Sequence, residues 1–262
     1  MASSAAARLS HAVGWLADRK LPRALRAPLF RAYAACYGVD LGELRLPLAE
    51  HPSFAAFFVR RLRPGARPFT EDASALPSPA DGRIQAVDRI AAGSLLQAKG
   101  RPYEVGELLA GAQAGVELEG GTAWTIYLSP RDYHRVHAPL DGTLADVRWI
   151  GGGRSSVKPG VLERRDRVLA TNERAVLRLA TARGPLFLVM VGALNVGRIR
   201  IVGVPEGSAF PGRKFARGDE LARFELGSTV VLIAPPGGPR PVGPAAGAAV
   251  RMGEAIGRWN GP

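Results

Sequence analysis

Ser228 carries a hydroxyl that could react with its own main chain. It follows Gly227 in the run Leu-Gly-Ser-Thr, and attack on the Gly227 carbonyl would turn that amide into an ester. Glycine leaves the carbonyl unshielded and tolerates a bent backbone. Loss of the Ser228 α-hydrogen would then break the chain, and hydrolysis of the resulting dehydroalanine would leave a pyruvoyl group and ammonia. Alternatively, these residues only start a strand, because the residues that follow are β-prone.

Two histidines could supply the base that a neutral serine needs. His134 and His137 lie three residues apart, so they would face opposite sides of a strand but share one face of a helical turn. The residues alone leave three interpretations open: half of a metal site, a solvated pair, or a catalytic base with a neighbour. Asp81 and Asp141, each followed by glycine, are the candidate carboxylates that could orient such a base.

Four segments, in this order, carry a family resemblance. They are Ser78-Pro-Ala-Asp-Gly-Arg83, Tyr127-Leu-Ser-Pro-Arg-Asp-Tyr-His-Arg-Val-His137, Val191-Gly-Ala-Leu-Asn-Val-Gly197 and Phe224-Glu-Leu-Gly-Ser-Thr-Val-Val231. Together they resemble the phosphatidylserine decarboxylase family, whose members process themselves and depend on a pyruvoyl group. The resemblance covers roughly residues 50–262, and the amino-terminal helices match it more loosely.

The resemblance implies a role for each candidate residue. His137 would be the base that activates Ser228, and Asp81, rather than Asp141, would fix the tautomer of that imidazole. His134 would assist decarboxylation, by contacting the substrate phosphate or by donating a proton.

The resemblance also implies the products of self-cleavage and the reaction. Breakage between Gly227 and Ser228 would give a large β chain, residues 1–227, and a small α chain, residues 228–262, held together without a covalent bond. The pyruvoyl group derived from Ser228 would be the cofactor, and no metal is expected. The enzyme would convert phosphatidylserine to phosphatidylethanolamine and carbon dioxide.

The charge of the chain favours anionic partners. Lys+Arg 35 against Asp+Glu 23 gives a net charge of +12 and a pI near 10.9, which suits nucleic acid or acidic lipid. Aromatic residues make up only 7%, and no zinc-finger or RNA-binding pattern is present. Acidic lipid is therefore the expected partner, and nucleic acid is not. The single cysteine, Cys36, excludes an internal disulfide.

Residues 1–66 are predicted to form a helical, membrane-associating region. Pro28 fits the first turn of a helix that Gly38 ends, and Ser53 is the expected N-cap of a third helix. Apolar stripes edged by arginine suit helices that lie in the headgroup layer, although packing on the rest of the protein would also explain them. With no signal peptide and no apolar run long enough to span a bilayer, we expect a peripheral protein on the cytoplasmic side of a bacterial cell membrane.

Residues 67–262 are predicted to form a β-rich catalytic domain. Its β-prone runs are separated by Gly and Pro, as in a barrel or sandwich; they are Thr122–Leu128, Gly142–Ile150, Ala175–Leu179, Leu186–Val191, Arg198–Val204 and Thr229–Ala234. The pattern Pro-x-Asp-Gly-x-aliphatic occurs twice, at 79–84 and 139–144, and a Gly-acidic turn recurs at 218 and 253. The expected fold class is α+β, with a mostly β core and an N-terminal helical region.

Three rival functions remain open at this stage. A pyruvoyl decarboxylase could act on a soluble amino acid, a metal hydrolase could use His134 and His137, or a basic β-barrel could bind lipid or nucleic acid without catalysis. Arg131, Asn195 and Lys214 are candidate polar contacts for the glycerol and phosphate, although a structural or surface role is the simpler explanation for each. The sequence leaves open the oligomeric state beyond the two cleavage products.

Overall fold

The computed structural model describes residues 14–97, 101–193, 199–205, 212–225 and 228–261. The N-terminal part is helical and the rest is mostly β. The helices are α1 Arg23–Tyr37, α2 Phe54–Phe58, α3 Val105–Leu109, α4 Pro159–Leu162 and α5 Val168–Thr171, with 3-10 turns at Leu41–Glu43 and Leu48–Glu50. Residues 14–18 are also helical. None of the helices within the described ranges is long and apolar enough to cross a membrane.

The described residues contain sixteen strands, which are numbered in chain order. They are β1 Ala75–Pro77, β2 Gly82–Arg89, β3 Ser94–Leu96, β4 Pro102–Glu104, β5 Thr122–Leu128, β6 Arg135–His137, β7 Gly142–Ile150, β8 Arg174–Thr181, β9 Gly184–Gly192, β10 Ile199–Ile201, β11 Arg213–Phe215, β12 Glu220–Phe224, β13 Ser228–Ala234, β14 Arg240–Pro241, β15 Ala249–Val250 and β16 Ala255–Arg258. The predicted runs 122–128 and 142–150 coincide with β5 and β7. The other predicted runs differ from their strands by a few residues at the ends, because strand pairing rather than composition sets where a strand ends. Arg198 lies outside the described residues.

The main sheet has eight antiparallel strands in the order β11-β7-β8-β9-β13-β5-β2-β15. A second sheet, β10-β12-β6, shares one hydrophobic cluster with one face of the main sheet, in which Val136, Phe224 and Val230 are fully buried. On the other face, α3, α5 and the β3-β4 hairpin pack in a separate cluster around Val231 and Ile233. The α+β class with a sandwich-like β core is therefore confirmed.

The repeated Asp-Gly turns are explained by close strand contacts. Gly82 begins β2 and Gly142 begins β7. A Cβ atom at Gly82 would clash with the carbonyl of Tyr127, and one at Gly142 with the carbonyl of Ala180. Glycine is thus required at both corners because the neighbouring strand approaches too closely for a side chain.

The N-terminal helices confirm two of three expected signals. Gly38 ends α1 in the left-handed conformation with φ 75°, and the Ser53 hydroxyl accepts a hydrogen bond from the Ala56 amide at the start of α2. The position of Pro28 was wrong, since it lies inside α1 rather than in its first turn. The helix starts directly after Pro22, and packing of Phe30 in the core of this region offsets the lost main-chain hydrogen bond.

Candidate active site

Ser228 is the first residue of the central strand of the main sheet. It pairs with Leu128 of β5 on one side and with Gly192 of β9 on the other. The residue is fully buried, and its hydroxyl has no hydrogen-bond partner among the described residues. Burying a hydroxyl without a hydrogen-bond partner lowers the stability of the fold, so stability alone does not explain a serine at this position. Gly227 lies outside the described residues.

Strand alternation places Ser228 on the inner face of the sandwich. Val230 and Leu232 share its parity and belong to the cluster between the two sheets, while Thr229 shares the opposite face with Val231. The face that carries Ser228 is therefore the face on which the small sheet β10-β12-β6 packs.

The chain brings His134 to the same face of the sheet. Leu128 pairs with Ser228 at the end of β5. The chain then makes one turn, in which the Asp132 amide donates to the Ser129 carbonyl at 2.9 Å, and enters β6. The Phe224 amide donates to the His134 carbonyl at 3.0 Å, which extends the β12-β6 ladder to His134. His134 thus has the parity of the core residue Val136, pointing toward the main sheet.

His134 is a fully buried, neutral imidazole. Its Nδ1 donates to the carbonyl of Asp132 at 2.8 Å, and its ring lies against Phe58 with centroids 4.1 Å apart. Burial lowers the pKa of His134 to about 3, and the nearby charge of Arg60 adds to this effect. Because Nδ1 carries the proton, Nε2 is the basic nitrogen, and it has no hydrogen-bond partner within the described part of the chain.

His137 also uses a main-chain carbonyl to fix its tautomer. Its Nδ1 donates to the carbonyl of Gly218 at 2.7 Å, so its Nε2 accepts from the hydroxyl of Tyr133 at 3.0 Å. Burial lowers the pKa of His137 below its usual value and raises that of Tyr133 to about 12. Both partners are therefore neutral near pH 7, and the basic nitrogen of His137 is engaged by a phenol.

Asp81 lies beside this histidine without bonding to it. The His137 amide donates to the carbonyl of Pro79, which places the turn that carries Asp81 next to β6. The Asp81 carboxylate accepts hydrogen bonds from Arg67 and from the Met252 amide, and no hydrogen bond to His137 is present among the described residues. The expected carboxylate–imidazole hydrogen bond is thus replaced by the Gly218 carbonyl, and Asp81 acts on the pKa of His137 only through its charge.

The other candidates fall in different places. Asp141 is exposed and accepts from the Arg217 amide. Arg131 lines a cavity of about 230 Å³ together with Asp81 and Arg60. Lys214 is exposed on β11, and Asn195 lies outside the described residues.

Comparison with known proteins decides the family. A sequence profile for phosphatidylserine decarboxylase matches residues 54–258. The chain belongs to the phosphatidylserine decarboxylase family. Relatives named phosphatidylserine decarboxylase proenzyme include one from Halorhodospira halophila, 43% identical over 98% of this chain and 96% of the relative. Another, from Myxococcus xanthus, is 40% identical over 87% of this chain and 85% of the relative.

Membership in the phosphatidylserine decarboxylase family agrees with the resemblance stated on the four segments. Sequence reasoning missed three residues that support the candidate site: Tyr133 on the imidazole of His137, Arg67 on Asp81, and Arg60 on the loop that precedes His134. Arg60 and Arg67 lie in the part of the chain that resembles the family. Arg60 binds main-chain carbonyls, which have no sequence signature, and only the fold shows that Arg67 contacts Asp81.

Proposed function

We propose that this chain cleaves itself between Gly227 and Ser228 and then decarboxylates phosphatidylserine with the pyruvoyl group so formed. The family converts phosphatidylserine to phosphatidylethanolamine, and the relatives are named as proenzymes. The observation that carries the proposal is the buried hydroxyl of Ser228 at the start of a central strand. It has no hydrogen-bond partner among the described residues and lies on the face toward which His134 points.

Self-cleavage would proceed in three steps. The Ser228 hydroxyl gives its proton to a base and its oxygen attacks the Gly227 carbonyl. The base returns the proton to the amide nitrogen, the bond between that nitrogen and the carbonyl carbon breaks, and an ester with a free amine forms. Removal of the α-hydrogen breaks the ester bond, which leaves a carboxylate on Gly227 and dehydroalanine at position 228. One water then replaces the nitrogen, ammonia departs, and a pyruvoyl group begins the small chain.

For the base we propose His137, as the family resemblance implies. Its neutral state and its fixed tautomer, with the lone pair on Nε2, are those of a general base. On β6 the side chain of His137 alternates with that of Val136 and so leaves the face toward which His134 points. The ring must therefore move, and the Tyr133 hydroxyl must turn away, before Nε2 can take a proton from Ser228. Asp81 assists by its negative charge, which favours the imidazolium that forms.

The site also suits the group that self-cleavage would create. A pyruvoyl group supplies a carbonyl that bonds to the substrate amine and takes up the electron pair left by carbon dioxide. Position 228 is paired by β5 and β9, which would hold that group in place. His134 would move a proton at Nε2, taking it from the substrate ammonium and returning it to the α-carbon.

This tautomer favours one of the two roles expected for His134. With the Nδ1 proton given to the Asp132 carbonyl, Nε2 offers a lone pair, and a lone pair repels a phosphate oxygen. Proton transfer is therefore the role that the geometry supports, rather than contact with the substrate phosphate.

The two fragments would stay together because strands of the small chain pair with strands of the large chain. Its first strand, β13, is fully buried and paired on both sides by strands of the large chain. β15 pairs with β2, and β16 pairs with β1. We therefore infer a noncovalent heterodimer of residues 1–227 and residues 228–262.

The N-terminal part of the chain would meet the lipid surface. Large apolar side chains are exposed there, namely Trp15, Leu16, Leu25, Leu29, Tyr37 and Leu46. Exposed arginines accompany them, and each basic residue near an anionic membrane contributes about 1 kcal/mol. These features support peripheral binding to an anionic lipid surface, with phosphatidylserine itself as an anionic component. The location that we propose is the cytoplasmic side of a bacterial cell membrane.

Mass spectrometry of the purified protein tests the proposal. We expect two fragments whose summed mass equals that of the intact chain plus one water and minus one ammonia. Simple proteolysis adds the water but keeps the nitrogen, so it gives a different sum. A chain that stays intact while it releases carbon dioxide from phosphatidylserine would refute the proposal.

A further inference from the structure

We infer that Arg60, in the N-terminal region, is a positioning residue for His134, and that this region is therefore part of the active centre as well as a lipid-binding element. The inference rests on the proposed function, because it assigns a role to a residue that acts through His134. Its evidence is the set of contacts that the N-terminal region makes with residues 129–135, here called the histidine loop.

Arg60 is a buried cation that binds main-chain carbonyls of the histidine loop. It is only 4% exposed, and its Nη2 donates to the carbonyl of Arg131 at 2.5 Å and to that of Asp132 at 3.1 Å. The Asp132 carbonyl is the same group that accepts from Nδ1 of His134 at 2.8 Å. One oxygen is thus shared between the guanidinium and the imidazole, so Arg60 fixes the acceptor that sets the tautomer of His134.

Other contacts from the N-terminal region reach the same loop. The Tyr33 hydroxyl donates to the carbonyl of Pro130 at 3.0 Å. The ring of Phe58 contacts the ring of His134, and Arg135 donates to the carbonyl of Val59 at 2.9 Å. These contacts span residues 33 to 60 on one side and 130 to 135 on the other, so a shift of the helices would move His134.

The charge of Arg60 has a separate effect on His134. A buried guanidinium favours the neutral imidazole, and the pKa of His134 is lowered by burial and by Arg60. The other charged groups of the histidine loop have partners of their own: the Asp132 carboxylate accepts from Ser129 and faces Arg131 at 3.7 Å, and Arg135 pairs with Glu220. Arg60 is therefore the charge that acts on His134 from the N-terminal side.

The experiment compares Arg60→Lys and Arg60→Gln with a matched control. Arg26→Gln is that control, because Arg26 also binds two main-chain carbonyls, those of Leu21 and Ala49, but does not touch the histidine loop. Self-cleavage, kcat and KM for phosphatidylserine in detergent micelles, and the pH profile of kcat are measured for each. Detergent micelles remove the need for membrane binding, so a loss of anchoring does not lower kcat.

We expect both Arg60 variants to cleave themselves and to show a kcat at least tenfold lower with little change in KM, since misplacing a catalytic group by about 1 Å can cost about 10²-fold. Without the positive charge, the pKa of His134 rises, so the acid limb of kcat should move to higher pH in Arg60→Gln and less in Arg60→Lys. Arg26→Gln should match the wild type in kcat and in pH profile.

Three results would overturn the inference: wild-type kcat and pH profile in the Arg60 variants, an equal loss in Arg26→Gln, or loss of self-cleavage in Arg60→Lys. The last would assign Arg60 to the fold or to the first reaction. Failure of the proposed function looks different, because then the wild-type chain itself stays whole.

Discussion

Arg67 holds the carboxylate of Asp81 with two of its nitrogens, Nε at 2.9 Å from Oδ1 and Nη2 at 2.6 Å from Oδ2. The same guanidinium binds Glu43 in the N-terminal region. Both side chains of the Arg67–Asp81 pair are 8% exposed. The carboxylate proposed to assist His137 is thus oriented by an arginine that also ties the N-terminal region to the β domain.

Removal of Arg67 should destabilise the chain strongly. In Arg67→Met the buried carboxylate of Asp81 loses its cationic partner, and the partly exposed carboxylate of Glu43 loses one of two. Breaking a buried pair costs about 3–5 kcal/mol. Arg23→Met is the control, because the Arg23–Glu50 pair is exposed and such pairs contribute about 0–1 kcal/mol. Urea unfolding of both variants, in a Ser228→Ala background that keeps the chain whole, measures the difference. Equal losses in the free energy of unfolding of the two variants would show that the buried pair stabilises the chain no more than the exposed pair does.

The hydroxyl of Ser228, and not that of its neighbour, should be required for cleavage. Thr229 is also buried without a hydrogen-bond partner, but its side chain lies on the opposite face of β13. Thr229→Val removes that hydroxyl at constant shape and should leave self-cleavage intact, with stability unchanged or improved. Ser228→Ala should give an intact chain of 27.7 kDa on a denaturing gel. Cleavage of Ser228→Ala would contradict the mechanism.

The two histidines should fail at different steps. His137→Gln should block self-cleavage, whereas His134→Gln should cleave and then decarboxylate about 10²–10⁴-fold more slowly, the usual contribution of general acid–base catalysis. Gel analysis and carbon dioxide release separate the steps. The reverse pattern would make His134 the base for Ser228, which its free Nε2 and its position on the same face would allow.

Acid should destabilise the uncleaved chain through His134. The pKa of His134 is about 3 in the folded chain and about 6.5 in the unfolded chain. Between these pH values the unfolded state binds a proton that the folded state does not bind. Stability contributed by the neutral imidazole is therefore lost as pH falls below about 6.5, by about 1.4 kcal/mol per pH unit. Urea unfolding of Ser228→Ala between pH 7 and 5 should show this slope, and adding His134→Gln should make it shallower. An unchanged slope would mean that His134 is not buried and neutral.

Exposed leucines of α1 should contribute to lipid binding. Leu25 and Leu29 are 56% and 46% exposed, and Leu96 on β3 is 44% exposed and serves as the control. Burying a leucine side chain contributes about 1.5–3 kcal/mol, so Leu25→Gln with Leu29→Gln should weaken sedimentation with phosphatidylserine vesicles at least tenfold. Leu96→Gln should bind as the wild type does, and all variants should cleave. Equal binding by all of them would place the lipid surface elsewhere.

Local chemistry that the amino-acid sequence encodes directly could be predicted without the structure. The strands β5 and β7 follow from β-prone runs bounded by Gly and Pro, and the Asp-Gly corners at Gly82 and Gly142 from the need for a residue without a side chain. The order of the four segments indicated the family before any comparison. Pro28 was misplaced because a tertiary contact, the packing of Phe30, overrode a local preference.

The tertiary structure alone decided how the candidate site is held. The tautomers of His134 and His137 are set by the main-chain carbonyls of Asp132 and Gly218, and every residue type carries such a carbonyl. The lowered pKa of His134 comes from burial, which is a sum over packing from distant segments. The sequence by itself determined that a serine could break the chain. Only the fold determined that both imidazoles are neutral, and which N-terminal side chains contact the loop that carries His134.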